Sequence, residues 1–339
     1  MKITICGGGN LGHVCAGFLA SQPDNEVSLL TTRPDAWSPT IDVIDPKGKV
    51  YHGILSGISC QAQDVIPNAD IVLLCLPGFA IRDILLSIAP YIGPDTWVGT
   101  VVSNTGFFFE AMKLLPNTQP LFGFQRVPFI SRINEYGHKA ELKGYKESLS
   151  VAVEQAKDKE LIRSSLETLF QTPVHLLESH YEASLSNSNP LLHTSRLYTM
   201  WKDWKPGIVY DKNPGFYSDW TIEASELYIA MDLEFQSLLK VLGVREGSVP
   251  TVLDYYESKD AASLTKKICS ISAFQGISSP MKQVSGGWIP DFSSRYFMED
   301  FHHGLQIIVD LIINNNLFTT NINKVFNWGI HVITNNKTC

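Results

Sequence analysis

The chain has 339 residues, a length that suggests two domains rather than one. Hydrophobic residues make up 44% of it and charged residues 18%, a balance that excludes a mainly disordered chain. The 27 lysines and arginines stand against 34 aspartates and glutamates, which gives a net charge of −7. No global basic field is therefore available to hold nucleic acid or an anionic membrane surface.

Targeting signals and cysteines indicate the compartment. The first residues run into glycines without the apolar stretch that a signal peptide needs, and no run of 18 apolar residues predicts a membrane span. Cysteines occur without a Cys-x-x-Cys pair, at Cys6, Cys15, Cys60, Cys75, Cys269 and Cys339. This usage is typical of reduced thiols, so we expect a soluble cytoplasmic protein, for which an enzyme is the favoured class.

Short apolar runs alternate with helical patterns along the first 180 residues. The runs predict strands at 2–6, 27–31, 70–76, 97–103, 148–153 and 174–177. The helical patterns begin at Leu11 and continue at 79–89, 107–115 and 158–170. This alternation predicts an α/β domain with a parallel sheet and right-handed crossovers.

The remaining segments are read differently. Residues 116–146 form a less regular stretch. Beyond His180 helical periodicity dominates, at 223–242 and 300–313, and the asparagines at 314–316 read as a helix stop. We place a domain boundary near Ser179, which gives an α/β domain at 1–179 and an all-α domain at 180–339.

A glycine-rich motif follows the first predicted strand. Gly7, Gly9 and Gly12 fit the pattern G-x-G-x-x-G and open an amphipathic helix. Gly7 permits a tight turn, Gly9 lets the backbone approach a pyrophosphate, and Gly12 allows close packing of the helix on the strand. The helix start, with Asn10 and Leu11, turns free N–H groups towards the phosphates. The motif predicts a dinucleotide-binding Rossmann domain; the alternative is a glycine-rich turn without a ligand.

The choice between NAD and NADP depends on the end of the second strand. The acid expected about 20 residues beyond the fingerprint is absent, and Thr31 and Arg33 stand in that region. Arginine pairs with the 2′-phosphate of NADPH, so NADP is slightly favoured over NAD. The alternative is a solvated Arg33 and an enzyme that accepts either cofactor. Pro77 and Asn104 follow the strands at 70–76 and 97–103, at the sheet edge expected near the cofactor and substrate.

Two polar segments stand out in the second domain. Asn189 and Pro190 predict a helix start, with Asn189 as N-cap and His193 in the first turn. The helix dipole there disfavours the imidazolium, which a carboxylate partner could restore. Arg295 and an acidic pair at 299–300 precede another apolar helix. Each segment alone also fits a surface histidine or a charged helix start.

Taken together, these residues resemble the opine dehydrogenase family, which includes octopine and nopaline dehydrogenases. The resemblance rests on the fingerprint at 7–12, the Asn-Pro-Leu-Leu-His run ending at His193, and Arg295-Tyr296 with Glu299-Asp300. It covers both domains in the expected order. It implies an NAD(P)-dependent enzyme that joins a 2-keto acid to an amino acid, with hydride reducing the C=N bond of the imine.

The resemblance also implies roles for residues. His193 corresponds to the proton donor and acceptor, Asp300 to its carboxylate partner, and Arg295 to the group that holds a substrate carboxylate. Glu299, beside Asp300, leaves open which acid pairs with the histidine. Asn104 is assigned to the substrate side, and no metal is expected.

Two other functions fit the same sequence features. A ketopantoate-type or other 2-keto acid reductase shares the same domain plan, and a non-catalytic NAD(P)-binding sensor would share the fingerprint. The expected partners are small molecules, with homodimer formation left open. Four aromatic residues of the second domain could line a pocket, but core packing is the default: Trp201, Trp204, Trp220 and Tyr217.

Overall fold

The computed structural model describes residues 1–335, and its backbone divides into two compact units. The first unit is Met1–Ser186 and the second begins at Asn187. The predicted boundary near Ser179 lies a few residues earlier, at the N-cap of a short helix, and it stays a prediction.

The first unit is built on one sheet of eleven strands. The strands are β1 Lys2–Cys6, β2 Glu26–Leu30, β3 Thr40–Ile44, β4 Val50–Ser59, β5 Ile71–Leu74, β6 Trp97–Thr100, β7 Leu121–Phe124, β8 Phe129–Glu135, β9 Lys139–Tyr145, β10 Leu149–Glu154 and β11 Val174–Leu176. Their order in the sheet is β11-β10-β7-β6-β5-β1-β2-β4-β3-β9-β8. Strands β7, β6, β5, β1, β2 and β4 run parallel to their neighbours in this series, as the predicted Rossmann domain requires.

Helices cover the parallel strands. They are α1 Asn10–Ala20, α2 Ala62–Val65, α3 Gly78–Ile88, α4 Phe107–Leu114, α5 Lys159–Phe170 and α6 His180–Ser184. All four residues of β5 are buried, because apolar side chains cover both faces of a central strand. The chain passes from β4 back across β2 and β1 to β5, so β1 and β5 form a switch point where ligands bind beyond the carboxyl ends of strands.

The reading of residues 116–146 as less regular is wrong, since this stretch contains β7, β8 and β9. The antiparallel hairpins β3–β4 and β8–β9 were also missed. Strands β3 and β9 alternate polar and apolar residues and were overlooked, whereas Gly53 and Gly57 interrupt the pattern in β4. The sheet is thus parallel at its centre and mixed towards its edges.

The second unit is mainly helical. Its helices are α7 Asn189–Trp201, α8 Ile222–Val241, α9 Val252–Tyr255, α10 Ala261–Ser270, α11 Arg295–Glu299, α12 Gln306–Asn314 and α13 Asn321–Asn335. A π-helical segment, Asp300–Leu305, joins α11 to α12. A hairpin of β12 Met281–Val284 and β13 Gly287–Pro290 corrects the expectation of a purely α-helical domain.

The start of α7 differs by one residue from its prediction. Helix α7 begins at Asn189, and Ser188, not Asn189, is the N-cap. The Ser188 carbonyl already accepts hydrogen bonds from the N–H groups of Leu191 and Leu192, so the first turn forms one residue earlier than proline placement suggested.

Two global expectations concern the membrane and the thiols. Within residues 1–335, no helix is both long and apolar enough to cross a bilayer. The described cysteines are free thiols, whereas Cys339 lies outside the described residues.

Candidate functional site

Gly7 lies in the tight turn after β1, and Gly12 lies in the first turn of α1. Gly7 has φ +118°, and a Cβ there would lie 2.6 Å from the Cys75 carbonyl oxygen. A Cβ on Gly12 would collide with the carbonyl oxygen of Gly7. Both positions require glycine, because the loop, the β5 end and α1 approach one another within backbone distance.

Gly9 offers open space instead. A Cβ built on Gly9 meets no atom within 4 Å. Gly9 is the N-cap of α1, which has no side-chain cap and no acidic residue in its first turn. Uncapped N–H groups and the positive end of the helix dipole therefore face an open space, an arrangement that fits the diphosphate of NAD(P).

Asn10 and Leu11, which were also predicted to bind the cofactor, make contacts within the first unit. The Asn10 side-chain oxygen accepts a hydrogen bond from the Ile133 N–H at 2.9 Å, which ties α1 to β8. Leu11 is half-buried and packs against the core of the first unit. Their backbone N–H groups belong to the first turn of α1, and this turn is what they contribute to the phosphate side of the site.

A buried histidine behind the glycine loop was missed by the sequence reasoning. His13 contacts the Gly9 carbonyl oxygen through Nδ1 at 2.9 Å, and the Gly137 N–H donates to its Nε2 at 2.7 Å. Its ring lies against Trp37 and Tyr136, with centroids 4.0 and 4.8 Å away. A neutral ring satisfies both contacts, because Nδ1 then donates and Nε2 accepts. The sequence indicated this role only through the position of His13 on α1, because its partners Trp37, Tyr136 and Gly137 lie far along the chain.

His13 predicts a pH-dependent stability of the first unit. Burial lowers its pKa below 6.5, despite the hydrogen bond to Gly9. The folded state thus keeps the ring neutral, and the unfolded state takes up the proton first as pH falls. The stabilising contribution is present above the unfolded pKa and is lost as pH falls below it.

We expect the wild-type melting temperature to fall more than that of His13→Gln between about pH 7.5 and about pH 5.5, a window that spans the unfolded histidine pKa. Each kcal/mol of difference corresponds to about 2–4 °C in a unit of this size. Differential scanning calorimetry at both pH values measures the two slopes. Equal slopes would show that the folded protein protonates His13 freely.

Thr31 and Arg33 lie beside the cluster of His13, Trp37 and Tyr136. Thr31 is buried, and its hydroxyl accepts a 3.4 Å hydrogen bond from the Arg33 N–H. Arg33 is exposed, and its guanidinium lies 3.9 Å from the centroid of the Tyr136 ring. The cation is held against an aromatic face rather than being freely solvated.

Pro77 and Asn104 follow neighbouring parallel strands. Pro77 is the N-cap of α3, three residues after β5 ends at Leu74. Asn104 is half-buried in the 3₁₀ turn Ser103–Thr105, beyond the end of β6. Because β5 and β6 are parallel, both residues follow the carboxyl ends of their strands.

His193 and Asp300 are brought together in the second unit. The His193 Nδ1 lies 2.7 Å from Oδ2 of Asp300, and His193 is only 7% exposed. A carboxylate accepts hydrogen bonds, so Nδ1 carries a proton and Nε2 is left as the nitrogen that exchanges one. Asp300, not Glu299, is thus the acid in contact with the histidine.

The π-helical segment places Asp300 against α7. It packs on α7, and a Cβ on Gly304 would lie 2.6 Å from Cγ of Pro190. Glycine therefore permits the close approach of the two backbones. The wider turn also changes which side chains of 299–305 face α7, and π-helical turns recur at functional sites for this reason.

Tyr217 contacts the other nitrogen of the histidine. Its hydroxyl lies 2.7 Å from the His193 Nε2. Burial, reinforced by the nearby Tyr296, raises the pKa of Tyr217 far above its usual value. The sequence reasoning left Tyr217 as core or pocket, and the contact with His193 was missed because it joins α7 to a loop without regular pattern.

The neighbours of this pair complete the site. Arg295 is exposed at the start of α11, and within the described residues its guanidinium has no hydrogen bond or ion pair. Tyr296 meets the His193 ring edge to face, with centroids 4.9 Å apart. Trp201 and Trp220 are buried, in line with the core default.

Known dehydrogenases are similar to this chain along most of its length. Residues 176–333 match the family model of the NAD/NADP octopine/nopaline dehydrogenase alpha-helical domain. The tauropine dehydrogenase of Arabella iricolor is 28% identical over 96% of this chain and 90% of its own. The opine dehydrogenase of Haliotis discus hannai is 26% identical over 91% of this chain and 84% of its own.

The resemblance to the opine dehydrogenase family is borne out: the octopine/nopaline dehydrogenase alpha-helical domain covers residues 176–333, and opine and tauropine dehydrogenases are similar to this chain over more than nine tenths of its length. A solved octopine dehydrogenase with NADH and L-arginine has the same fold, with a TM-score of 0.86, 24% identity, and coverage of 98% of this chain and 90% of that one. The predicted family and fold class are thereby confirmed.

Proposed function

We propose that this protein is an NAD(P)H-dependent opine dehydrogenase that condenses a 2-keto acid with an amino acid and reduces the resulting imine to a secondary amine. The main support for this proposal is the buried His193–Asp300 pair, in a chain that also has the dinucleotide fingerprint. When bound, NAD(P)H supplies the hydride.

His193 provides the proton chemistry. Condensation of an amine with a carbonyl expels water, and the departing oxygen needs a proton. Asp300 stabilises the imidazolium and holds its ring orientation, so that Nε2 donates the proton and accepts it in the reverse reaction. The burial of His193 excludes bulk water, which would otherwise compete for that proton.

Arg295 and Asn104 are proposed to bind substrate. A 2-keto acid carries a carboxylate, which a planar guanidinium holds with two parallel hydrogen bonds. The Arg295 guanidinium is exposed, and no partner among residues 1–335 occupies it. Asn104 offers an amide at the end of β6. Orientation of the keto acid carboxylate by Arg295 would set the face that hydride attacks.

The amine requirement tests the function. Purified protein is incubated with NADPH or NADH across keto acids such as pyruvate, each with and without a panel of amino acids, and products are identified by mass. We expect oxidation of cofactor only when an amino acid is present, with a product of the condensed mass. Oxidation by the keto acid alone would establish a 2-keto acid reductase, and cofactor binding without oxidation would establish a sensor.

Arg33 is proposed to favour NADPH. Its guanidinium is held by the Tyr136 ring and carries a positive charge where the family expects the cofactor-selecting position. Arg33→Ala should weaken NADPH about 10- to 100-fold, the cost of hydrogen bonds to a charged group, and NADH far less.

Fluorescence titration of both cofactors measures this difference. Arg163→Ala is the matched control, because Arg163 lies on α5 and is paired with Glu160 and Glu167. Equal weakening of NADPH and NADH would leave Arg33 as an adenine contact only and remove the NADP preference.

We also propose a cytoplasmic location, since Cys60 is an exposed free thiol.

A further inference from the structure

We propose that Tyr217 is a second catalytic residue, whose hydroxyl passes the proton between His193 and the oxygen that leaves during condensation. The inference rests on the proposed function and deepens it. It assigns the last proton transfer to the tyrosine hydroxyl rather than to the imidazole.

The contacts of the imidazole define where its proton goes. Asp300 occupies Nδ1 at 2.7 Å, so the exchangeable proton belongs to Nε2. The Tyr217 hydroxyl occupies Nε2, also at 2.7 Å. A proton that leaves Nε2 along this hydrogen bond arrives on the Tyr217 oxygen.

Stacking holds the Tyr217 ring in place. The ring lies on Phe274, with centroids 4.1 Å apart and planes 18° from parallel. It also meets Phe216 edge to face at 4.9 Å, and Tyr217 is only 5% exposed. Rotation away from His193 would separate these rings, so the hydroxyl stays at Nε2.

The loop that carries Tyr217 is anchored to the helix that carries His193. Arg196, one turn further along α7, is buried and donates hydrogen bonds to the carbonyl oxygens of Phe216 at 3.1 Å and Asp219 at 2.6 Å. The Asp219 carboxylate in turn accepts the Gly215 N–H at 2.7 Å. Arg196 is therefore a positioning residue that fixes the distance between Tyr217 and His193.

A neutral hydroxyl suits a relay because it donates one proton while it accepts another. Burial raises the pKa of Tyr217, so the hydroxyl keeps its proton at neutral pH. In the carbinolamine, the Tyr217 O–H donates to the hydroxyl oxygen as the C–O bond breaks, and that electron pair leaves with water. The nitrogen lone pair forms the C=N bond. The Nε2–H of the imidazolium reprotonates the tyrosine oxygen, which leaves neutral His193 with its Nδ1–H on Asp300.

Tyr217→Phe tests the relay, because it removes the hydroxyl and keeps the stacked ring. We expect kcat for condensation to fall about 10²-fold, the lower end for an acid–base group, with an unchanged melting temperature and NADPH affinity. The ¹⁵N resonance of the His193 Nε2 in the variant without substrate should shift as its hydrogen bond is lost. Tyr198→Phe is the control, because Tyr198 lies on α7 with His193 but its ring packs against Trp328. This variant should match the wild type in both readouts.

The outcomes separate the two proposals. If Tyr217→Phe has the same kcat as the wild type, the relay alone is overturned. Absence of condensed product from the wild-type protein would overturn the proposed function and the relay with it. If the phenylalanine variant unfolds, a fluorinated tyrosine at position 217 serves instead. Its more acidic hydroxyl should move the pH profile of kcat, and an unmoved profile would count against the relay.

Discussion

We expect His193→Ala to lower kcat for condensation by about 10² to 10⁴, the usual contribution of general acid–base catalysis. The variant removes the imidazole that contacts Asp300 on one side and Tyr217 on the other. Affinity for NADPH should change little, since the fingerprint lies in the other unit. Steady-state kinetics with the amino acid found in the product screen, combined with fluorescence titration of NADPH, measures both quantities.

The two adjacent acids provide a matched control for this prediction. Asp300→Asn keeps the shape of the side chain but removes the charge that stabilises the imidazolium, so a loss comparable to that of His193→Ala is expected. Glu299→Gln should be nearly silent, because the carboxylate at Nδ1 of His193 is that of Asp300. Wild-type kcat in His193→Ala, or a larger loss in Glu299→Gln than in Asp300→Asn, would refute the assigned roles.

Gly9→Asp should weaken cofactor binding strongly without unfolding the protein. The open space above Gly9 accepts a side chain, and aspartate is a favourable N-cap that changes helix stability by only a few tenths of a kcal/mol relative to glycine. The carboxylate would take the N–H groups meant for phosphate and repel the diphosphate. A loss of about 3 kcal/mol, or about 10²-fold in NADPH affinity, is expected.

Gly12→Ala is the informative counterpart. Its Cβ would collide with the Gly7 carbonyl oxygen, so this variant should lower the melting temperature as well as the affinity for NADPH. Calorimetry and fluorescence titration of the two variants separate the roles of the glycines. Tight NADPH binding by Gly9→Asp would show that the diphosphate lies elsewhere.

The first unit shows how far local patterns reach. The strand, glycine turn and helix at 2–20 follow from neighbouring residues, and the predicted positions agree closely with β1 and α1. The hairpins β3–β4 and β8–β9 pair residues close in sequence, and β3 and β9 alternate polar and apolar residues, so the signal for them was present and was overlooked. Long helices and fully buried parallel strands leave a strong signal, whereas a strand of five to seven residues beside glycines and turns is easily taken for a loop.

The site in the second unit divides in the same way. The sequence by itself determined that a histidine near a helix start, an arginine and an acidic pair belong to one family pattern, because each motif is short and contiguous. Only the tertiary structure decided that Asp300 rather than Glu299 meets His193, since a π-helical turn sets the direction of each side chain. It also brought Tyr217 to Nε2 and Tyr136 to Arg33. Those contacts join segments whose spacing depends on packing, and no local periodicity encodes that distance.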